Sequence, residues 1–348
     1  MTCSIKPQEL KEGESVETYA EFDSIQTITD LKDAIASHGH EVSIYNADEK
    51  LFENLKNNRK DIDFVFNIAE GLVGAFRESV AQTYCEVLNI PYHGPCPLTA
   101  ALTLNKGRTK EILLANNIPT PKFKVIYPNE NNHTSKEFDI EGLSFPILIK
   151  PMMEGSSKGI FNENLVDDIE QLGRIVNKII SKYNQPVIVE EFLNGREFTV
   201  SVIGYGKELT VLPVVEITFG HLPEGIHQMD SYEAKWIYDS PEFIEKNKVE
   251  PVICPAEINS ELLQQIENTV KKTFTVLDCK DWARIDMRLD KNGIANVLEV
   301  NALPGIMKDP KENSRLPKAA YAAGWTYEHL IGTVLKSALK RYNKEGEK

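Results

Sequence analysis

Between Asp281 and Asn301 two alternating runs flank the pair Asn292-Gly293, the strongest short-range signal for a β-hairpin. A turn centred on that pair sets Asp286 opposite Glu299 and Arg284 opposite Asn301. Strand periodicity then puts these four side chains on one face and Ile285, Met287, Leu298 and Val300 on the other, the core face. A three-residue loop would spoil that register, so the expectation depends on the turn. Two carboxylates directly opposite one another repel, and a cation is expected between them. Carboxylate and amide oxygens suit Mg²⁺, so Asp286, Glu299 and Asn301 are read as a magnesium site. The alternative is a solvated acidic face in which Arg284 neutralises Asp286.

The 348 residues are too many for one ordinary core and imply two or three domains. In the first hundred, Ile25 to His38 has helical spacing closed by Gly39, and "HEVSIYNA" and "DIDFVFNIAEG" read as strands. The second is apolar enough for an inner parallel strand. A helix over roughly Arg77 to Leu88 completes a small α/β unit. Texture changes near 103 and again near 185, giving expected units 1–103, 104–184 and 185–348. The middle unit holds a helix from Leu104, a Pro/Asn-rich loop from Pro128 to Ser135, and an amphipathic helix from about Asp167 to Tyr183. The last holds three strands, a long polar stretch from Phe219 to Pro255, a helix to about Val276, and the hairpin.

A net charge of -13 argues against nucleic acid, whose phosphates call for a basic excess. No run is long and apolar enough to span a bilayer and no signal peptide is evident, so a cytoplasmic protein without membrane partners is expected. Five widely spaced cysteines without a CxxC pair suggest neither a disulfide framework nor a zinc site.

Several basic and acidic groups suit a nucleotide. Lys150 ends an apolar strand, and the "EGSSKG" loop after it can close backbone N–H groups over phosphate oxygens, although it lacks a Walker A pattern. Lys106 stands at a helix start. Glu190, Glu191 and Glu197 flank an apolar stretch where strand backbone can meet an adenine edge and a carboxylate the ribose hydroxyls. Lys235 and Trp236 fall in the long polar stretch, which has the composition of a lid. Taken singly, each has a bland reading as a surface turn, a solvated lysine or an exposed acid.

Together the strings "NIPYHGP", "LNKGRTK", "IKPMMEGSSKGI", "VIVEEFLNGREFTVSVI", "YEAKW", "ARIDMRL" and "EVNALPGI" resemble, in order and spacing, the ATP-grasp superfamily and within it the D-alanine–D-alanine ligase family. The resemblance runs from about Phe64 to Trp325. It implies an α/β protein with α+β elements, in which an N-terminal parallel α/β substrate domain precedes a two-subdomain ATP-grasp fold. It also implies that Lys106, Lys150 and the lid residue Lys235 contact the phosphates of ATP. Glu190, Glu191 and the backbone near Leu193 would meet adenine, and Glu197 the ribose. Asp286, Glu299 and Asn301 would hold two Mg²⁺ ions, for which Mn²⁺ can substitute. Arg284 and the N–H of Gly305 would stabilise an oxyanion, Ser156 would position the first amino acid, and Ser314 would take the second one's carboxylate. The implied reaction is an ADP-forming carboxylate–amine ligation of small amino-acid-like substrates through an acyl phosphate, in a homodimer. A phosphotransferase on the same fold is the alternative. A nucleotide binder without catalysis has no need of an oxyanion arginine.

The departures from the family concern substrate. The family's glycine-rich first loop with Ser-x-Glu is replaced by "ETYAEFDS", where Glu21 can take the amine-binding role. Glu70-Gly71 stands in place of a His-Gly pair, so Glu70 either binds a substrate amine or pairs with Arg77. Trp236 replaces a tyrosine, Lys158 a small apolar residue, and "MKDPKENSR" lengthens the approach to Ser314. Arg315 and Lys308 on that approach suggest a substrate with an extra carboxylate.

Overall fold

The computed structural model describes residues 1–10, 15–71, 73–128 and 138–343, so most of the loop expected from Pro128 to Ser135 lies outside the described residues. The chain opens with three short parallel strands, β1 (Thr2–Cys3), β2 (Tyr45–Asn46) and β3 (Asn67–Ile68), with β1 in the middle. A parallel bridge from Val65 to Tyr92 continues the pairing beyond β3, so the apolar "FVFNI" run has chain on both sides. Helices α1 (Ile25–Ala36), α2 (Leu51–Asn57), α3 (Val80–Val87), α4 (Pro97–Leu104) and α5 (Lys106–Ala115) complete this part. Ser24 caps α1 by accepting from the N–H of Thr27 at 3.1 Å, and Ile28, Leu31, Ala34 and Ile35 turn inward beside Phe66 and Ile68.

A four-stranded antiparallel sheet follows: β4 (Phe123–Ile126), β5 (Ile147–Pro151), β6 (Leu165–Val166) and β7 (Val187–Glu191), in the order β4-β7-β5-β6. Helix α6 (Ile169–Tyr183) covers one face with Leu172, Ile175, Val176 and Ile179. Asp168 caps it, accepting from the N–H groups of Glu170 and Gln171 at 2.9 and 2.8 Å, a contribution of about 1 kcal/mol.

The third sheet contains β8 (Glu197–Tyr205), β9 (Glu208–Val211), β10 (Val215–Ile217), β11 (Val252–Ile253), β12 (Asp281–Leu289) and β13 (Ala295–Asn301). Its order is β11-β10-β8-β12-β13, with β9 also paired to β8. Helix α8 (Ser260–Val276) packs Ile266, Val270 and Phe274 on it. The short α7 (Pro241–Asn247) precedes α8, and α9 (Arg315–Ala322) and α10 (Tyr327–Arg341) end the described chain. Tyr327, Leu330, Ile331 and Val334 of α10 join α1 and Trp282 of β12 in one core. Among the described residues no helix is long and apolar enough to cross a membrane.

The hairpin has the expected pairing by an unexpected route. Asp286 lies opposite Glu299 and Arg284 opposite Asn301. The connection, however, runs from Asp290 to Ile294 rather than turning on Asn292-Gly293 alone. It is closed by Asp290 N–H to Ile294 C=O at 2.9 Å and Gly293 N–H to Asp290 C=O at 3.0 Å, with Gly293 at φ +76°. That longer turn pairs Met287 with Val297, one residue out of step, and a bulge between Asp286 and Met287 restores the register. The extra residue is Leu298, which loses the core-facing position expected for it. Val297 is buried in the core instead, and Leu298 lines the cleft between the two large sheets.

His93 stacks on Phe66 at 4.0 Å and meets the edge of Trp282 at 4.5 Å between ring centroids. Burial, only partly opposed by Asp281, lowers its pKa to about 4. Below the unfolded value of ~6.5 the unfolded chain takes up a proton that the folded chain refuses. His93 should therefore remove up to about 3 kcal/mol of stability as pH falls from 6.5 to 4. Urea titrations should show His93→Phe losing less stability than the wild type over that window; parallel losses would contradict the assignment.

Candidate active site

A cavity of about 60 Å³ opens between the four-stranded and six-stranded sheets. Leu148, Lys150 and Glu190 line it from one sheet and Asp286, Arg288 and Leu298 from the other. A second cavity, about 150 Å³, extends toward the N-terminal domain. Glu154 and Glu299 line both, so the two spaces meet at Glu299 of the hairpin.

At that junction Arg284 donates to both oxygens of Asp286, Nε to Oδ1 at 3.0 Å and Nη2 to Oδ2 at 2.8 Å. Asn301 donates to Asp286 Oδ2 at 2.9 Å, and the Thr199 hydroxyl, opposite in β8, donates to Oδ1. Burial opposes the charge on Asp286, but the Arg284 guanidinium and these donors hold its pKa down at about 2. Lys106, the first residue of α5, reaches Glu299 at 3.2 Å. Burial resists ionisation of Glu299 as well, yet Lys106 keeps it below the usual carboxylate range. The set Asp286, Glu299 and the amide oxygen of Asn301 is an all-oxygen one that fits Mg²⁺, with Arg284 and Lys106 supplying the positive charge that two facing carboxylates need.

In the cleft, β5 and β7 bring Lys150 to Glu190, and Lys110 reaches the same carboxylate at 3.0 Å. Although burial opposes it, the two lysines hold Glu190 ionised, with a pKa of about 2. Lys110 is anchored further by the Thr120 hydroxyl at 2.9 Å, which itself donates to the Val297 carbonyl at 2.8 Å. The Glu190 side chain is thus occupied, and Glu191, Phe192 and Leu193, at and just beyond the end of β7, line the cleft beside it. The Glu191 carboxylate turns to the N–H of Ser144 at 2.9 Å and to Lys122 at 3.6 Å. Glu197 pairs with Arg288 at 2.9 Å, and burial, against that pairing, raises it to about 7. Arg288 also donates to the carbonyls of Gly195 and Gln228 and lies over the Phe192 ring at 4.6 Å.

The loop after β5 closes the other cavity. Gly155 donates to Glu21 at 2.6 Å, and a Cβ there would stand 2.4 Å from that oxygen, so a larger residue would displace the Glu21 carboxylate. Ser156 and Ser157 both hold left-handed φ, 50° and 59°, the kind of backbone strain that concentrates at ligand sites. The indole of Trp236 donates to the Ser156 carbonyl at 3.0 Å, and Lys106 to that of Glu154 at 2.5 Å. Lys235 stands on the single π-helical turn Ala234–Tyr238. Burial lowers its pKa, opposed by Asp230. Ser314 lies beside Gly305, and among the described residues its hydroxyl has no hydrogen-bond partner.

The acidic residues at the N-terminal end have partners other than those expected. Arg77 binds both oxygens of Glu21, at 2.8 and 2.9 Å, and the Met153 carbonyl, and makes no hydrogen bond with Glu70. Glu70 neighbours Glu78 instead, and burial raises it well above its usual range. Lys158 pairs with Glu154 at 2.9 Å. The basic edge expected for an extra carboxylate is already neutralised: Arg315 is held by Asp239 at 3.2 Å and Asp230 at 3.5 Å, and Lys308 by Glu328 at 2.7 Å.

Sequence reasoning passed over Lys110 and Arg288. Both carried a usable signal. Lys110 is one helical turn from Lys106 and so shares its face, and Arg288 alternates with Arg284 and Asp286 along β12.

Two sheets closing on buried lysines, opposite a hairpin with facing carboxylates, define an ATP-grasp architecture. Residues 112–336 match the family described as D-ala D-ala ligase C-terminus. The chain is 32% identical over 319 residues to the uncharacterized protein y4sG of Sinorhizobium fredii, covering 90% of this chain and 87% of that protein. It is 31% identical to the D-alanine–D-alanine ligase of Mannheimia succiniciproducens, over 87% of this chain and 89% of that one. The crystal structure of D-alanine–D-alanine ligase from Bacillus anthracis complexed with ATP superposes with a TM-score of 0.72 at 24% identity, covering 99% of this chain and 98% of the other. The chain belongs to the D-alanine–D-alanine ligase family.

Proposed function

We propose that the protein is an ATP-dependent, ADP-forming ligase that joins the carboxylate of one small amino-acid-like substrate to the amine of another. The observation that carries this reading is the meeting of the two cavities at Glu299, with Asp286, Lys106 and Arg284 around it. A nucleotide in the cleft presents its terminal phosphate where the second cavity can present a carboxylate. Mg²⁺, when bound by Asp286, Glu299 and Asn301, supplies charge neutralisation at the phosphate oxygens.

The chain's own residues account for the rest. Lys150, held by Glu190, and Lys106 and Lys235 position the phosphates. The backbone from Glu190 to Leu193 meets the adenine, and Glu197, fixed by Arg288, meets the ribose. Ser156, set by its strained loop, orients the first substrate toward Lys106. Arg284 and the N–H of Gly305 receive the oxyanion as the amine attacks the acyl phosphate, and Ser314 takes the second carboxylate. The lid around Lys235 and Trp236 excludes water that would hydrolyse the intermediate. Residues 1–103 act as the substrate domain, and 104–184 and 185–348 as the two grasping subdomains, in a cytoplasmic homodimer. Membership of a ligase family does not favour a phosphotransferase.

ADP and phosphate should appear only when ATP, Mg²⁺ and both substrates are present, as read by coupled ADP detection and product mass. Release of AMP and pyrophosphate, or ADP formation with a single acceptor giving a stable phosphate ester, would overturn the reading.

A further inference from the structure

The N-terminal end of the larger cavity carries more negative charge than its surroundings balance. Glu21, Asp23, Glu70, Glu78 and Glu154 all line it. Carboxyl oxygens of Glu21, Glu70 and Glu78 lie within 4.8 Å of one another. The nearby cations form their ion pairs elsewhere, Arg77 with Glu21 and, at 3.6 Å, Glu154, Lys158 with Glu154, and Lys106 with Glu299; Arg77 and Lys106 only partly offset the burial of Glu78. Glu70, Glu78 and Asp23 have no ion-pair partner among the described residues.

Their titration agrees with that count. Burial, with repulsion from Glu21, raises Glu78 to about 7, and burial alone raises Asp23 to about 7. A cation among them would replace the protons they otherwise retain.

A second feature of the same cavity points to a ligand. Trp282 is fully buried and lines the cavity, yet its indole N–H has no acceptor among the described residues. A buried donor without a partner costs about 1–3 kcal/mol, and a substrate oxygen would satisfy it. The cavity therefore offers a donor for an oxygen and a nest for positive charge. An ordinary α-ammonium would balance only one of the three unpaired acids.

We propose that one substrate carries a second cationic group, as in a diamino or guanidino amino acid, and that Glu70 and Glu78 hold that group. The proposal rests on the ligase reading above and names its substrate class. A divalent metal ion fits the nest less well. It would need Glu21, whose oxygens already serve Arg77 and the Gly155 N–H, whereas an ammonium or guanidinium can bridge Glu70 and Glu78 alone.

The test compares ADP release for pairs containing alanine or serine with pairs containing ornithine, lysine, arginine or 2,4-diaminobutyrate, in both configurations. The expected result is a kcat/KM at least about tenfold higher for a basic partner, the scale of one charge-assisted hydrogen bond. The variant Glu70→Gln/Glu78→Gln, shown to be folded by retained ATP binding, should lose that preference. In a second arm, calorimetric titration of the same basic amino acids without ATP should show binding to the wild type and at least tenfold weaker binding to the variant.

Equal or better use of alanine or serine would overturn the proposal while leaving the ligase reading standing. No ADP from any pair, together with basic-ligand binding that the variant loses, would overturn the ligase reading and support the proposal. A divalent ion retained through gel filtration by the wild type but not by the variant would overturn it in favour of a metal.

Discussion

Replacing Glu299 by glutamine is expected to lower kcat by about 10²–10³-fold while the protein remains folded. The substitution preserves shape and an acceptor oxygen but removes one charge from the point where the two cavities meet. Lys106, 3.2 Å away, loses its ion partner, and the oxygen set loses one of its two carboxylates. Apparent Mg²⁺ affinity should fall together with kcat, whereas binding of the amino-acid substrates, governed by the far end of the cavity, should change little. If the hairpin acids were a solvated face neutralised by Arg284, the loss would stay within a few-fold. Steady-state kinetics against Mg²⁺ concentration distinguishes the two.

Replacing Glu190 by glutamine should instead be felt in stability. Its carboxylate is 2% exposed and lies between Lys110 and Lys150, which are themselves buried. Removing the anion leaves two buried ammonium groups facing one another, and breaking a buried ionic cluster in this way costs about 3–5 kcal/mol. The unfolding midpoint in urea should fall accordingly. Adding Lys110→Met should recover part of the loss, because one unpaired charge then disappears with its partner, and the two substitutions should be strongly non-additive. Simple additivity would mean that the three residues do not form one electrostatic unit. Lys150 should also lose its fixed position, so ATP binding is expected to weaken in the single variant.

Much of this was legible in the chain. The hairpin announced its facing carboxylates because strand alternation is strict and Asn-Gly is a strong turn signal. It misled on the turn itself: Asp290 draws Gly293 and Ile294 into a longer connection, and the bulge at Leu298 compensates. Hydrophobic pattern alone cannot see that compensation, because Val297 and Leu298 are equally apolar. The β-α order at the N-terminus was likewise readable from apolar runs.

What stayed hidden were contacts made at long range. Arg77 and Glu21 are 56 positions apart and Lys110 and Glu190 are 80, so no local periodicity pairs them. Arg315 and Lys308 looked free because Asp239 and Glu328 reach them only in the folded chain. That is why the partners of these charges could not be read from the chain, whereas the facing of Asp286 and Glu299 could.

The central claim is that a substrate carboxylate is activated as an acyl phosphate at the junction beside Glu299. Its most direct test uses a carboxylate substrate labelled with heavy oxygen, under turnover with ATP, Mg²⁺ and the amine partner. The account predicts one labelled oxygen transferred to the inorganic phosphate for each amide bond formed, as read by phosphorus NMR. Label appearing in AMP, or unlabelled phosphate accompanying full product formation, would contradict it.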